Sequence, residues 1–359
     1  MNGPGPIILA AGGTGGHVFP AEALARALLA RGREVVIITD RRGQGFGQKN
    51  LGERLPGVPV LRIRAGRFDG GIGAKLLGAG ELLIGIAEAL RHLRKLRPAA
   101  VVGFGGYPSV PAVLAGALLR LPTLIHEQNA VLGRANRLLA PFVGKIAVGF
   151  PGKGVHTGNP VRPEIAALRA QPYRAPEAKD RFELLILGGS QGARIFSDVV
   201  PEALTLLPDS LKTRLRVAQQ ARPEDLERVR AAYAASGIEA ELAPFFADVP
   251  VRLARAHLVI ARAGASTVAE LTVAGRPSIL VPYPFATDDH QTANAGALAK
   301  AGAALLVAQP EFTAAALAER LEGFTPSRLG EIAESARAFG MPDAAERLSD
   351  LVLTISEAS

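Results

Sequence analysis

Two stretches of the chain, AAGGTGGHVF at residues 10–19 and ILGGSQGARIF at residues 186–196, repeat one device. Each is an apolar strand that breaks into a glycine-rich loop and re-enters as a helix. Such a loop lets backbone N–H groups approach a phosphate at the positive end of the helix dipole. A device that opens twice predicts two doubly wound α/β domains, each beginning with a phosphate-type loop. The length agrees, since 359 residues exceed one typical domain. With 48% hydrophobic residues the chain can fill two cores. The first loop is not the dinucleotide fingerprint. GxGxxG needs glycine at 12, 14 and 17 or at 13, 15 and 18, where Thr14, His17 and Val18 break the pattern. Asp40, closing the strand VVIITD, is therefore not read as an NAD ribose contact.

The stretch LVIARAGASTVAELTVAGRPSILVPYPFATDDHQTAN, residues 258–294, holds the densest candidate chemistry. It predicts a strand over 258–261, a turn over 262–265, a helix over 266–274, a strand over 278–281 and then a polar loop. Gly275 suits the left-handed position that ends a helix, and Pro277 forbids continuation. Gly264, Ala265, Ser266 and Thr267 are all small, so the N–H groups of the helix start face open space that suits a diphosphate. Glu270 lies on the side of Thr267, three residues on, within reach of a sugar hydroxyl pair. Asp288, Asp289, His290, Gln291 and Asn294 crowd the loop beyond. Together these describe a nucleotide-sugar pocket. An ordinary βαβ unit with a plain helix cap fits the same residues and stays open here.

Other strand ends narrow the choice. Ligands of open parallel sheets bind beyond the carboxyl ends of the strands. Small or polar residues gather at three such ends, over 12–17, 105–109 and 126–129. His17 opens a helix predicted over 20–31 and closed by Gly32; the dipole disfavours an imidazolium there, which leaves a neutral base candidate. Residues 41–57 read as a surface loop and 65–80 as an apolar, glycine-rich loop. The helix predicted over 81–97 ends in Arg91, His92, Arg94, Lys95 and Arg97. That basic end could rest on an anionic bilayer, or it is ordinary dipole compensation. Residues 151–182, rich in proline and arginine, read as a linker.

Composition removes several classes. The net charge of +8 favours phosphates or an anionic surface, but 5% aromatic residues and no basic recognition helix argue against nucleic acid. The absence of cysteine excludes a disulfide framework, an iron–sulfur cluster and a thiol nucleophile. No leader is expected, because residues 1–5 run straight into the first strand. No apolar run is long enough to span a bilayer uninterrupted. The six histidines are scattered, no DxD pair appears, and Asp288 and Asp289 are adjacent, so neither metal nor cofactor is expected. A leaving diphosphate would then be stabilised by helix dipoles, by Ser190 and Thr267 hydroxyls, and by Arg162 and Arg262. Each preorganised donor of this kind lowers a barrier by ~3 kcal/mol.

Seven segments, GGTGGHVFPA (12–21), GFGGYPS (103–109), HEQNAVLGRANR (126–137), GNPVR (158–162), GGSQGAR (188–194), RAGASTVAEL (262–271) and DDHQTANA (288–295), resemble in order the MurG family, family 28 of the GT-B glycosyltransferases. The resemblance implies a GT-B fold, two Rossmann-like domains facing each other across a cleft. It implies inverting transfer of N-acetylglucosamine from UDP-GlcNAc to the C4 hydroxyl of undecaprenyl-pyrophosphoryl-MurNAc-pentapeptide, the last cytoplasmic step of peptidoglycan precursor synthesis. The domains are expected at 1–160 (acceptor and membrane) and 161–340 (UDP-GlcNAc), with a helix over 341–359 packing back toward the first.

Carried onto this sequence, the resemblance makes His17 and Glu270 the catalytic residues, His17 as base and Glu270 on the ribose hydroxyls. Ser190 would meet the diphosphate and the Phe246 backbone the uracil. Ala265, Ser266, Thr267, Val268 and Ala269 would meet sugar and phosphates, and His290 and Gln291 the sugar hydroxyls. Thr14, Gly15, Gly16, Asn129 and Arg162 would complete the donor site. Gly13, Gly105, Gly106 and Tyr107 would face the lipid diphosphate. The implied partners are UDP-GlcNAc, the lipid-linked muramoyl-pentapeptide, the cytoplasmic face of the membrane, held peripherally through residues 72–86, and other cell-wall synthesis proteins. Two departures stand out. Pro108 replaces a small apolar residue after Tyr107, and residues 219–222 lack the usual glycine–lysine element, so no contact is carried there. A non-transferring relative such as a UDP-GlcNAc 2-epimerase and a non-catalytic nucleotide-sugar-binding scaffold remain the alternatives.

Overall fold

The computed structural model describes residues 5–12, 15–40, 55–66, 71–189 and 192–357. The chain divides into two units, Met1–Arg162 with Pro342–Ser359, and Pro163–Met341. Over the described residues the first unit holds a seven-stranded parallel sheet ordered β3-β2-β1-β4-β5-β6-β7. Its strands are β1 Ile7–Ala10, β2 Val35–Asp40, β3 Val60–Ile63, β4 Ala100–Gly103, β5 Thr123–Glu127, β6 Lys145–Val148 and β7 Val155–His156. The second unit holds a six-stranded parallel sheet ordered β10-β9-β8-β11-β12-β13. These strands are β8 Phe182–Leu187, β9 Leu215–Gln220, β10 Glu239–Ala243, β11 Leu258–Ala261, β12 Ser278–Leu280 and β13 Leu305–Leu306.

Burial on both faces explains why the strands are continuous apolar runs. In β1, Ile7 and Leu9 join one core with Leu24, Leu28 and Val102, while Ile8 and Ala10 join a second with Val101, Val113 and Ile125. Leu348 and Val352 of the last helix, Ala344–Glu357, complete the first of these cores, so the chain's end belongs to the N-terminal unit. In each sheet the winding reverses once. The chain leaves β1 toward β2 and β3 and returns to place β4 on the other side, and β8 and β11 repeat this. Crevices open at the carboxyl ends of such strand pairs. The glycine loops after β1 and β8, and the turns after β4 and β11, therefore sit where a ligand is admitted.

The structure corrects three local readings. The first helix runs Gly15–Ala30 and contains Pro20, rather than starting there. Proline at this point removes only the bond to the Gly16 carbonyl in the first turn, and the helix passes through. Residues 72–80 are not loop, because one helix runs Ile72–Leu96. Two of its glycines, Gly78 and Gly85, allow a close backbone contact. A Cβ on Gly85 would stand 2.0 Å from the Arg64 carbonyl oxygen, and one on Gly66 would stand 1.9 Å from that of Gly78. The segment leaving β3 thus crosses this helix backbone to backbone. The stretch 151–182 also has structure of its own, with edge strand β7 and the short helix Pro163–Ala166. The surface loop expected over 41–57 lies mostly outside the described residues. No helix among those described is long and apolar enough to cross a membrane.

Candidate functional site

In the N-terminal unit the loops after β1, β4 and β5 meet around His17. Gly105 and Gly106 take positive φ values, 83° and 73°, which admit glycine at little cost. Their backbone lies against the imidazole, since a Cβ on Gly105 would stand 3.2 Å from His17 Cε1 and one on Gly106 3.4 Å from Cδ2. Pro108, the residue departing from the family pattern, packs onto Gly12; a Cβ there would meet its Cγ at 2.6 Å. The Ser109 hydroxyl is within hydrogen-bond distance of the carbonyls of Ala10 (2.8 Å) and Gly105 (2.6 Å), which ties the two loops together.

Behind His17 stands a buried polar row. His17 Nδ1 lies 3.0 Å from Gln128 Oε1. The Gln128 amide nitrogen lies 3.0 Å from His126 Nδ1 and donates to the His126 carbonyl at 2.9 Å. His126 Nε2 reaches the Gly158 carbonyl at 3.0 Å. Complete burial lowers the His126 pKa to about 4, so this ring is neutral at pH 7. Beside it the buried Glu127 carboxylate accepts from Asn129 N and Nδ2, Gly133 N and Asn136 Nδ2, at 2.8–3.0 Å. These bonds shape the loop 128–133 and orient Asn129. Arg162 lies over the Phe19 ring, 5.5 Å from its centroid, which places it against the first helix. Gly15 and Gly16 form the first turn of that helix, which carries no acidic residue to offset its dipole. Tyr107 is half-buried beside Gly106. Gly13 and Thr14 lie outside the described residues.

In the C-terminal unit the helix after β11 runs Ala265–Ala274 and begins at Gly264, with no side-chain cap. The N–H groups of its first turn have no partner within the helix, and the Ser266 hydroxyl is buried without one. Asn294 Nδ2 fixes the turn by donating to the Ala263 carbonyl at 3.0 Å. Gly275 closes the helix at φ 63°, in the left-handed conformation expected of it. Glu270 lies half-buried one turn in from Thr267, and Ala269 is half-buried beside it. The Val268 side chain turns into the core, and its N–H donates to the Gly264 carbonyl at 2.9 Å.

Around this helix start, Gln220 holds the glycine loop after β8. Its Oε1 accepts from Gly188 N at 3.1 Å, and its Nε2 donates to the carbonyls of Gly189 (2.9 Å) and Pro244 (3.0 Å). One side chain thus ties that loop to the segment carrying Phe246. Phe246 is buried beneath the Arg252 guanidinium, 3.9 Å from the ring centroid, and Arg252 itself pairs with Glu241 and Asp248. Ser190 lies outside the described residues. His290 Nδ1 reaches the Thr287 carbonyl at 2.7 Å, and Gln291 Oε1 accepts from Tyr283 N at 2.9 Å. The bond to a carbonyl puts the hydrogen on His290 Nδ1, so His290 turns an acceptor and Gln291 turns N–H donors to any hydroxyl beside them.

Arg262 does not serve as a phosphate cation. Its guanidinium donates to the carbonyls of Val281 and Pro282, both at 3.0 Å, and to Gln309 Oε1 at 2.7 Å, and burial lowers its pKa to about 10. It braces the end of β12. The sequence marks 126–129 as a polar strand end, but it assigns no individual role to four residues that hold these loops. His126, Gln128, Asn136 and Gln220 drew no role of their own, although a run of polar residues closing an apolar strand was the available signal for the first two.

The comparisons with known proteins identify the family. The Glycosyltransferase family 28 N-terminal domain matches residues 7–148, and the family 28 C-terminal domain matches residues 183–348. A UDP-N-acetylglucosamine--N-acetylmuramyl-(pentapeptide) pyrophosphoryl-undecaprenol N-acetylglucosamine transferase of Rhodospirillum centenum is 58% identical, covering 97% of this chain and 94% of its own. The protein of that name from Paramagnetospirillum magneticum is also 58% identical, over 97% and 96%. The crystal structure of Acinetobacter baumannii MurG superposes with a TM-score of 0.81 at 32% identity, covering 98% of this chain and 100% of that one. Matched by a family domain in each half and by relatives along nearly its whole length, this chain, with its two doubly wound α/β units in the GT-B fold, belongs to glycosyltransferase family 28.

Proposed function

We infer that the chain transfers N-acetylglucosamine from UDP-GlcNAc to the C4 hydroxyl of MurNAc in undecaprenyl-pyrophosphoryl-MurNAc-pentapeptide, with inversion at the anomeric carbon. The observation that carries this reading is the His17 cluster, a half-buried imidazole oriented by the buried Gln128 at a switch point, in a chain whose relatives are named for that transfer. His17 takes the proton of the acceptor hydroxyl as its oxygen attacks the anomeric carbon. The bond from that carbon to the diphosphate breaks, and UDP departs with the electron pair. The C-terminal unit holds the donor. The helix start at Ala265 and the Ser266 hydroxyl face the phosphates, and charge developing on the leaving group is stabilised by N–H groups already in place. Glu270 binds the ribose hydroxyls, and His290 and Gln291 bind sugar hydroxyls.

The N-terminal unit, with Asn129, Arg162 and the Gly105–Gly106 turn, takes the lipid-linked acceptor and its side of the donor. On the helix Ile72–Leu96, Leu76, Leu77 and Leu83 are exposed to about 70%, and Arg91, Arg94 and Lys95 follow. Apolar side chains beside cations support peripheral contact with an anionic membrane face, where the acceptor resides; co-sedimentation with anionic vesicles checks it. The main test is release of UDP from UDP-GlcNAc in the presence of the lipid-linked acceptor. Release that needs the acceptor is expected, whereas conversion of donor without acceptor would favour epimerase chemistry. In titration calorimetry Glu270→Ala weakens UDP-GlcNAc binding about tenfold to a hundredfold, the worth of hydrogen bonds to a charged group.

A further inference from the structure

The hydrogen bonds behind His17 have a direction, and it is set at the end far from the reacting group. The Gly158 carbonyl can only accept, so the His126 nitrogen 3.0 Å away, Nε2, carries the hydrogen. A neutral imidazole has one N–H, which makes His126 Nδ1 a lone pair that needs a donor. Gln128 supplies it through the amide nitrogen that also donates to the His126 carbonyl. The opposite amide orientation would bring an oxygen against both a lone pair and a carbonyl. Gln128 therefore turns its oxygen to His17, 3.0 Å from Nδ1, and that nitrogen must carry the hydrogen. Both His126 and Gln128 are essentially inaccessible to water, so no solvent molecule relaxes the sequence.

We propose that His126 and Gln128 are positioning residues that lock His17 in the Nδ1–H tautomer, so that the reacting lone pair is held on Nε2. The proposal rests on the reading of His17 as the base. The hydrogen bond at one ring nitrogen decides what the other can do. Burial keeps His126 neutral, which preserves the direction of the row; a second proton on His126 would reverse the Gln128 amide and set its nitrogen against His17 Nδ1. Among the described residues the titratable neighbour acting on the row is Glu127, at the end of β5. The two glycines touching the His17 ring, and Asn136, bring no charge.

The test is long-range proton–nitrogen NMR of the full chain with 15N-labelled histidine, His17 being assigned by its loss in His17→Ala. The wild-type spectrum at neutral pH is expected to show His17 protonated at Nδ1 with an unprotonated Nε2. An Nε2–H pattern there overturns the proposal without any further variant. Gln128→Met keeps the volume and removes the acceptor. His17 is then expected to become a tautomer mixture, and kcat to fall at least tenfold with KM for UDP-GlcNAc unchanged; ~10⁴-fold bounds the loss, the scale when a catalytic imidazole is held in the wrong tautomer. Gln128→Glu keeps an acceptor for His17 and adds a carboxylate that favours the imidazolium. Its second oxygen replaces the amide donor to His126 Nδ1 and the His126 carbonyl, so part of the turnover is expected to be lost, while the Nδ1–H pattern is retained and the acid limb of the pH–rate profile moves to higher pH. A purely structural Gln128 would leave that limb in place. If His17→Ala retains full turnover, the base reading itself fails. If His17→Ala is inactive while Gln128→Met keeps both the tautomer and kcat, the base stands and the positioning role falls.

Discussion

In the N-terminal unit the loops at the switch point are backed by His126, Gln128 and His17 in line; in the C-terminal unit the amides of Gln220 and Asn294 hold the loops after β8 and β11. Gln128 and Gln220 are each buried at a strand end, Gln128 just past β5 and Gln220 closing β9, on opposite sides of the first strands of their sheets. Gln220 spends its amide on three backbone groups and leads to nothing that titrates. Gln128 spends its amide on a histidine at either side. On the function proposed above, the same topology would form an anion cradle in one unit and carry a proton acceptor in the other. The fold supplies the crevice, and the second layer of residues decides the chemistry performed there.

The largest effect expected from this contrast is a split between turnover and binding. His17→Ala lowers kcat by ~10²–10⁴-fold, the usual contribution of a positioned general base. Binding of UDP is unchanged, because the groups assigned to the diphosphate lie on the other unit. Steady-state kinetics with titration calorimetry on one preparation checks both halves. A His17→Ala protein that loses UDP affinity as strongly as it loses turnover would break the division of labour.

Much of this division was legible in the sequence, and its limits have a physical origin. Glycine loops, the cap at Gly275 and the small residues from Gly264 to Thr267 are local signals, and the structure has the strand ends and helix termini they imply. The first part of the helix Ile72–Leu96 was misread because Gly78 looks like a loop residue in one dimension and is a contact residue in three. Arg262 looked like a phosphate ligand because its carbonyl partners lie 19 and 20 residues away, just past the end of β12. The row behind His17 joins residues from the first helix, the end of β5 and the loop at Gly158. Hydrogen-bond direction across such distances exists only after folding, and no spacing encodes it.

The next effect is on stability and follows from the buried histidine of the N-terminal row. The His126 pKa is lowered by burial to about 4 from an ordinary 6.5. Between these values the unfolded chain binds a proton that the folded chain refuses, so stability rises with pH across the window and is lost as pH falls through it. The loss from this group is about 3 kcal/mol between neutral pH and pH 4. His257 of the C-terminal unit is lowered in the same sense, first by burial, but it is only half-buried. Urea unfolding followed at pH 7 and pH 4.5 is expected to show the N-terminal unit weakening more. Equal weakening of the two units would dissolve this part of the contrast.

The smallest effect tests the amide side directly. Gln220→Glu keeps an acceptor for Gly188 N but places carboxylate oxygen against the carbonyls of Gly189 and Pro244, to which the amide now donates. The glycine loop after β8 then separates from the segment that carries Phe246. Losing one such constraint costs about 1–3 kcal/mol of local order, which calorimetry should read as UDP affinity reduced roughly tenfold. The pH–rate profile should not move, since no titrating group stands beyond Gln220 in its row. Gln128→Glu is expected to move that profile, so the same substitution made at two buried glutamines separates their duties. If Gln220→Glu shifts the acid limb as Gln128→Glu does, then the C-terminal row reaches the reacting proton as well, and assigning acid–base work to one unit alone is wrong.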